Sequence, residues 1–478
     1  MAAIAQIVDG HGGPLVCELN GWTSGVGGLL QKGVIAAEGQ TSAIRDESNW
    51  SPVNGPAGLG RRRITVPFLL IGSSADDLGV KVAKLMQATQ SPWWLRLRRH
   101  NATADNYLQC FPTVPQVQTD ITGSSTSHMA EGVIVAETAP YALGARVDST
   151  AVAVGQNPAS GTAWGLDING VGGDSATPLL LRLQDTNAFS SAMGAWISVR
   201  RRQTPANLTS TALFRNGEDP VNGYNSGTDV TLATFSDNTM ASGQCARATF
   251  GAAYLSPAGA SISVTSPSLT GPDVPGTYRV FVRMRRNNNA HPYTFKPSFN
   301  SSVITPEDIT VPAGGADIRT VDLGLIQWPS GQPSHIASPI ADPSGATTTR
   351  ILLQFWKRLD GAGILDIDYV AFIPADEDGG FLTTDQALPT ASSQYVVIDG
   401  YQHLAMVTNA DPIGPHSILG QNPNTSLPTA EWTGGAPRVG PGNNRLFVVA
   451  GTGGITAWPL VRPLSVAYSY WPRFTWLR

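Results

Sequence analysis

Asp366 and Asp368, two residues apart in Ile364-Leu365-Asp366-Ile367-Asp368-Tyr369-Val370, offer the clearest acid chemistry in this chain. On a strand, the side-chain period of two sets both carboxylates on one face, roughly 7 Å apart. That spacing would suit the two acids of a glycosidase or a Ca²⁺ site, and it equally suits a solvated or turn-bonded strand face. A second acidic run, DEDGG from Asp376 to Gly380, would hold Ca²⁺ or serve as a solvated linker, and its spacing is not that of an EF-hand. The seven histidines are scattered, with none in HExxH or HxH spacing, and GxSxG is absent. The loop NGVGGDS, Asn169 to Ser175, has the glycines of a phosphate cradle. It lacks the Lys-Ser/Thr that should follow, and a strand stands behind it where a helix is needed. No catalytic residue, metal or cofactor is therefore assigned, and the chain reads as non-enzymatic.

Two further sets of side chains would serve binding. Trp328 and Trp356, with Tyr224 and Tyr254, would stack on sugars if exposed on a sandwich face, or fill a core if not. Arg61, Arg62 and Arg63, and then Arg96, Arg98 and Arg99, flank one predicted helix in sequence. They would form an interface for acidic partners, or ordinary solvated strand ends.

Composition limits the class. The 478 residues suggest two to four domains at roughly 100–200 residues each. Charged residues make up 14%, against a typical ~25%, while 51 Gly and 35 Pro favour many short strands joined by turns. A net charge of −4 argues against a nucleic-acid or membrane-surface partner. No run approaches the roughly 18 apolar residues that span a bilayer, and the start MAAIAQIVDGHGG lacks the pattern of a secretory signal. Cys17, Cys110 and Cys245 are odd in number and far apart, so they read as small buried hydrophobes of a reducing cytoplasm.

The elements that would carry these residues are mostly strands. Arg63 to Ile71 alternates and then turns continuously apolar, with Pro67 marking an edge or a bulge. A helix follows, N-capped by Ser74 with Asp77 three residues on and an apolar stripe of Leu78, Val82, Leu85 and Met86. From about residue 149 the texture is Gly/Ser/Thr-rich β sequence, spaced as in sandwiches and jelly rolls. In Tyr278 to Arg285 one face is apolar and the other carries three arginines beside Phe281, which predicts a half-solvated strand. The closing stretch alternates Val466, Tyr468, Tyr470, Pro472, Phe474 and Trp476 on one face, as a strand completing a sheet requires.

The order RRRITVPFLLIGSSADDLGVKVAKLMQATQSPWWLRLRR, then Glu137-Thr138-Ala139-Pro140-Tyr141-Ala142-Leu143-Gly144, resembles the N-terminal domain of distal tail proteins (minor tail proteins) of long-tailed, siphovirus-type phages, particularly those of actinobacterial hosts. Gly173-Asp174-Ser175-Ala176-Thr177-Pro178 and GPGNNRLFVV resemble the family's second domain. The resemblance implies a mainly β fold: a ring-forming N-terminal domain with one helix over 1–148, then a galectin-like β-sandwich over 149–209 and 386–478. An inserted jelly roll, similar to a carbohydrate-binding module, interrupts it over 210–385. It further implies a homohexameric ring at the virion tail tip, assembled in the host cytoplasm. That ring would join a tail tube protein to a tip or hub protein, and the insert would meet host cell-surface carbohydrate. The other reading makes the chain chiefly a carbohydrate-binding adhesion protein acting through its insert.

Overall fold

The computed structural model describes residues 4–19, 29–31, 36–37, 62–98, 103–119, 128–154, 165–185, 195–202, 214–217, 223–225, 230–240, 242–251, 260–265, 276–286, 292–299, 302–303, 309–311, 318–328, 350–357, 361–376, 379–384, 395–401, 404–408, 427–428, 433–450 and 464–475. Among them is one helix, and all other regular structure is antiparallel β. The fold is mainly β, with an N-terminal sheet, a split sandwich and an inserted two-sheet unit.

The N-terminal sheet runs in the order Leu15–Glu18, Ile4–Val8, Trp93–Arg98, Asn106–Cys110, Met129–Thr138, Arg62–Ile71, Leu29–Gln31. Strand Arg62–Ile71 alternates buried and half-exposed side chains, and its whole length pairs with Met129–Thr138. Pro67 falls between the residues that pair with Leu29–Gln31 and those that pair with Ala36–Ala37, where the missing N–H breaks no observed pair. The helix Ala75–Thr89 begins at Ser74, whose side chain accepts the Asp77 N–H. It lays Leu78, Val82 and Leu85 on the sheet's core. Cys17 and Cys110 lie in this core and Cys245 lies buried in the insert, as small apolar groups do.

The sandwich is assembled from distant parts of the chain. One sheet orders Val147–Asp148, Leu464–Tyr470, Leu180–Asp185, Tyr395–Asp399, Leu404–Thr408; the other orders Leu166–Val171, Gly442–Ala450, Ala195–Arg202, Phe381–Thr384. Within these sheets Val147–Asp148 is the first paired strand and Phe381–Thr384 the first after the inserted strands. The intervening strands form two sheets of their own, an inner one containing Gly276–Arg286 and Gly363–Pro374 and an outer one containing Tyr293–Phe299 and Arg350–Lys357.

The insert is docked on the sandwich. Alternation along Ala195–Arg202 sends Ile197 and Val199 into the sandwich and Trp196, Ser198 and Arg200 to the other face. There Trp196 stacks on Phe281 with ring centroids 4.2 Å apart, and Phe281, Tyr369, Ala371 and Ile373 of the insert join the sandwich core. Arg200 adds a clamp: its guanidinium binds Asp376 through Nε (2.6 Å) and Nη2 (3.1 Å), donates to the Thr277 carbonyl and lies 4.0 Å from the Tyr278 ring centre. The expectation of a half-solvated strand at Tyr278 to Arg285 is therefore corrected. One face fills the insert's own core; on the other, Phe281 and Arg283 are buried, while Arg279 and Arg285 are half-buried and paired, Arg279 with Asp322 and Arg285 with Asp366 and Asp237. Phe281→Ala, which empties a site only 6% exposed, should cost about 3–5 kcal/mol. In urea unfolding the loss should appear in one transition shared by insert and sandwich. Two transitions, with only one of them shifted, would contradict the common core.

Candidate functional site

Asp366 and Asp368 lie on Gly363–Pro374 and both are fully buried. Arg283 pairs with Tyr369 and Met284 with Ile367, so Asp368 is an extra residue in the ladder and the period-two alternation breaks after Ile367. Asp366 accepts from Arg247 Nε (2.6 Å) and Nη2 (2.9 Å) and from Arg285 Nη2 (2.8 Å). Arg285 also binds Asp237, whose carboxyl is held down at about 2 by the Thr239 hydroxyl and then by Arg285. Asp368 pairs with the buried Arg283, and burial pulls that guanidinium below its ordinary range. Each carboxylate is thus a counter-charge sealed under arginine. A glycosidase acid needs a proton and a substrate within reach, and neither Asp366 nor Asp368 is exposed to one. The same ion pairs occupy the oxygens a Ca²⁺ would need. Asp376, the other candidate, is spent on Arg200 and the Thr277 N–H.

The proposed binding residues scatter. Trp356 is 8% exposed and packs in the insert's core, so it is no stacking platform. Trp328 ends the strand Ile318–Trp328, and its side chain lies outside the described residues, as do Tyr254, Arg61 and Arg99. Arg62 is buried and donates to the Thr475 carbonyl, while Arg63 is exposed. Arg96 binds Asp105 Oδ2 at 2.7 Å and Gln6, and Arg98 approaches the same carboxylate at 3.6 Å. Two strands separate Arg62–Ile71 from Trp93–Arg98, so the described arginines of the two sets, Arg62 and Arg63 against Arg96 and Arg98, do not form one patch.

A further polar convergence between distant segments lies at the chain's closing stretch, which the sequence marks only by its aromatics. Leu464–Tyr470 takes an interior place in the sandwich sheet, its Val466 and Tyr470 buried on the core side. At Trp471 the chain leaves this sheet, and Arg473–Phe474 pairs with Ala142–Leu143 of the N-terminal sheet. Of the single strand expected to run on to Trp476, the described residues form two strands in two sheets, and Trp476 itself lies outside them. The turn between them is held from several sides. The Thr177 hydroxyl donates to the Trp471 carbonyl (2.7 Å), and the Trp471 N–H donates to Tyr401 Oη (3.0 Å). Asp174 accepts from the N–H (2.6 Å) and hydroxyl (2.8 Å) of Thr475. Gly173, at φ 101°, lies so close to the Arg473 carbonyl that a Cβ would come within 2.4 Å of it. The glycine loop is a clasp for the closing segment and not a phosphate cradle. From the N-terminal sheet, His11 Nε2 donates to the Gly144 carbonyl (2.8 Å) and Nδ1 accepts from the Trp471 indole (3.0 Å). None of His11, Thr177 and Tyr401 stands out in the sequence, because their partners lie from 70 to 460 residues away.

No protein-family model and no curated protein matches the sequence. Among solved structures, an isomalto-dextranase of Arthrobacter globiformis T6, complexed with panose, matches over 44% of this chain and 34% of its own, at 13% identity and a TM-score of 0.21. An exo-beta-1,3-galactanase of Phanerochaete chrysosporium matches over 65% and 78%, at 8% identity and 0.22. A chain of the T13 IBDV viral particle matches over 86% and 77%, at 10% identity and 0.17. This chain spans about a third of the length of the Arthrobacter enzyme. Likenesses this slight carry no argument about activity.

Two outcomes test these placements. Trp356→Ala should lower stability by about 3–5 kcal/mol in thermal or urea unfolding. Truncation after Pro463 removes an interior strand and the clasp together and should leave the sandwich unfolded by circular dichroism and limited proteolysis. A truncated protein with a protease-resistant sandwich would refute the closing role.

Proposed function

We propose that the protein is a non-enzymatic structural component of the tail tip of a long-tailed phage, a distal tail hub that assembles as a ring. The N-terminal sheet supports this reading. Among the described residues, Leu15–Glu18 is paired on one side only, with Leu15 43% and Val16 38% exposed, and Leu29–Gln31 ends the opposite edge. A sheet whose two end strands differ is suited to head-to-tail contact between copies, which closes into a ring when the rotation per copy allows. The tail tube and tip proteins would meet the two faces of such a ring, with Arg63 as an exposed charge on its surface. Of the sets flanking the helix, Arg62, Arg96 and Arg98 are spent inside the chain, which moves the ring contact from the arginines to the apolar edge.

The insert extends from this ring on the sandwich. Its inner sheet is docked, so any host saccharide would meet the outer sheet, where Lys296, Thr310 and Gln354 are exposed. The mass of the purified protein, measured by light scattering and checked by negative-stain microscopy, tests the ring. Six copies of 50.3 kDa give a particle of about 302 kDa. Leu15→Lys with Val16→Lys should return folded monomers. A wild-type protein that stays monomeric, alone and with its tail tube protein, would remove the proposal.

A further inference from the structure

The His11 ring bonds both to the N-terminal sheet's side of the junction and to the closing segment. Its ring lies 4.2 Å from that of Tyr107 and 5.6 Å from those of Trp94 and Trp471. The indole N–H of Trp471 can only donate, so Nδ1 must be the bare, accepting nitrogen, and the ring proton sits on Nε2, facing the Gly144 carbonyl. This fixes a neutral tautomer by geometry. A second proton would place N–H against N–H at 3.0 Å, with no room for water between them.

We infer that His11 is a proton-operated latch: protonation of its imidazole releases Trp471, and with it the closing segment, from the N-terminal sheet. The charged and titratable groups facing the site act in the same sense or are already paired. Arg146, on the stretch after Ala142–Leu143, lies 5.4 Å from the Trp471 ring centre, is bound to Asp148 and disfavours a second cation. Tyr107, on Asn106–Cys110, is neutral, and burial pushes its hydroxyl up. Arg96 and Arg98, on the strand of Trp94, share Asp105. Asp9 stands two residues from His11 on its own turn. Among the described residues, no carboxylate is bonded to the imidazole to hold it as a cation.

Burial holds the clasped imidazole at about 4, the Gly144 hydrogen bond opposing and Arg146 assisting, while a released histidine titrates near its ordinary 6.5. The sign follows. The open state binds the proton more tightly, so the latch is at full strength above about pH 6.5, weakens as pH falls, and is fully discharged below about pH 4. Across that window the opening constant should rise by up to roughly 300-fold.

Hydrogen exchange of residues 464–475 in the full chain, corrected for the intrinsic pH dependence of exchange, reads this opening directly. Wild-type protection should fall between pH 7 and pH 4. His11→Asn, which keeps an acceptor near the Nδ1 position but cannot titrate there, should be flat with pH. Trp471→Phe, which removes the opposing N–H but leaves the ring buried, should weaken the pH dependence measurably even where His11→Asn is too unstable to measure. Wild-type protection that is unchanged down to pH 4, or variants that fall in parallel with wild type, would overturn the latch. A purely packing role for His11 would give a loss of protection equal at every pH.

Discussion

The structure depends on a single act of strand pairing, that of Leu464–Tyr470 between Val147–Asp148 on one side and Leu180–Asp185 on the other. An interior strand supplies hydrogen bonds to two neighbours, and here it also buries Val466 and Tyr470 against the opposite sheet. Nothing local specifies it: Leu181 meets Tyr468, and Leu183 meets Val466, across nearly three hundred residues. The loop-closure entropy of such a contact is modest, since it grows only with the logarithm of length. What the contact needs is that its register be unambiguous, and the alternation of apolar with small polar side chains provides this.

The clasp converts that pairing into a junction between modules. After Tyr470 the backbone changes sheet within three residues, and polar atoms from Trp471 to Thr475 are bonded by Thr177, Tyr401, Asp174, Gly144 and His11, drawn from distant parts of the chain. The geometry works only because Gly173 has no side chain where the Arg473 carbonyl must lie. On the other flank the insert is held by a different device, an aromatic stack backed by a bidentate arginine. Three modules are thus bound through a few residues with little freedom to rotate.

How much of this was legible in the sequence follows from how local each signal is. The helix Ala75–Thr89 was readable because cap and stripe lie within one element. The interruption of the sandwich was readable through the resemblance and the texture of the strands. The arginine face of Gly276–Arg286 was misread, because an arginine on a strand looks solvated until its counter-charge is known. Asp366, Asp368 and Asp322 arrive from other strands. Asp366 and Asp368 could be read as a glycosidase pair, a Ca²⁺ site or a solvated face for the same reason, and the extra residue at Asp368 that breaks their shared face leaves no mark in the sequence pattern. The aromatic ending announced burial but not its division between two sheets, since a Trp-Pro step inside an alternating run looks like a continuation.

Ala195–Arg202 and Phe381–Thr384 are neighbours, with Ser198 opposite Phe381 and Ala195 opposite Thr384. Seen from the sandwich, the whole insert occupies the position of the loop in a β-hairpin. A gene could therefore acquire, lose or exchange this unit without disturbing the sandwich's topology, as loops accept insertions elsewhere. The shared core sets the terms of such an exchange. A newcomer that left Trp196 and Phe381 uncovered would bare an aromatic patch, so lineages that carry a different insert here should show compensating polar residues at those two positions.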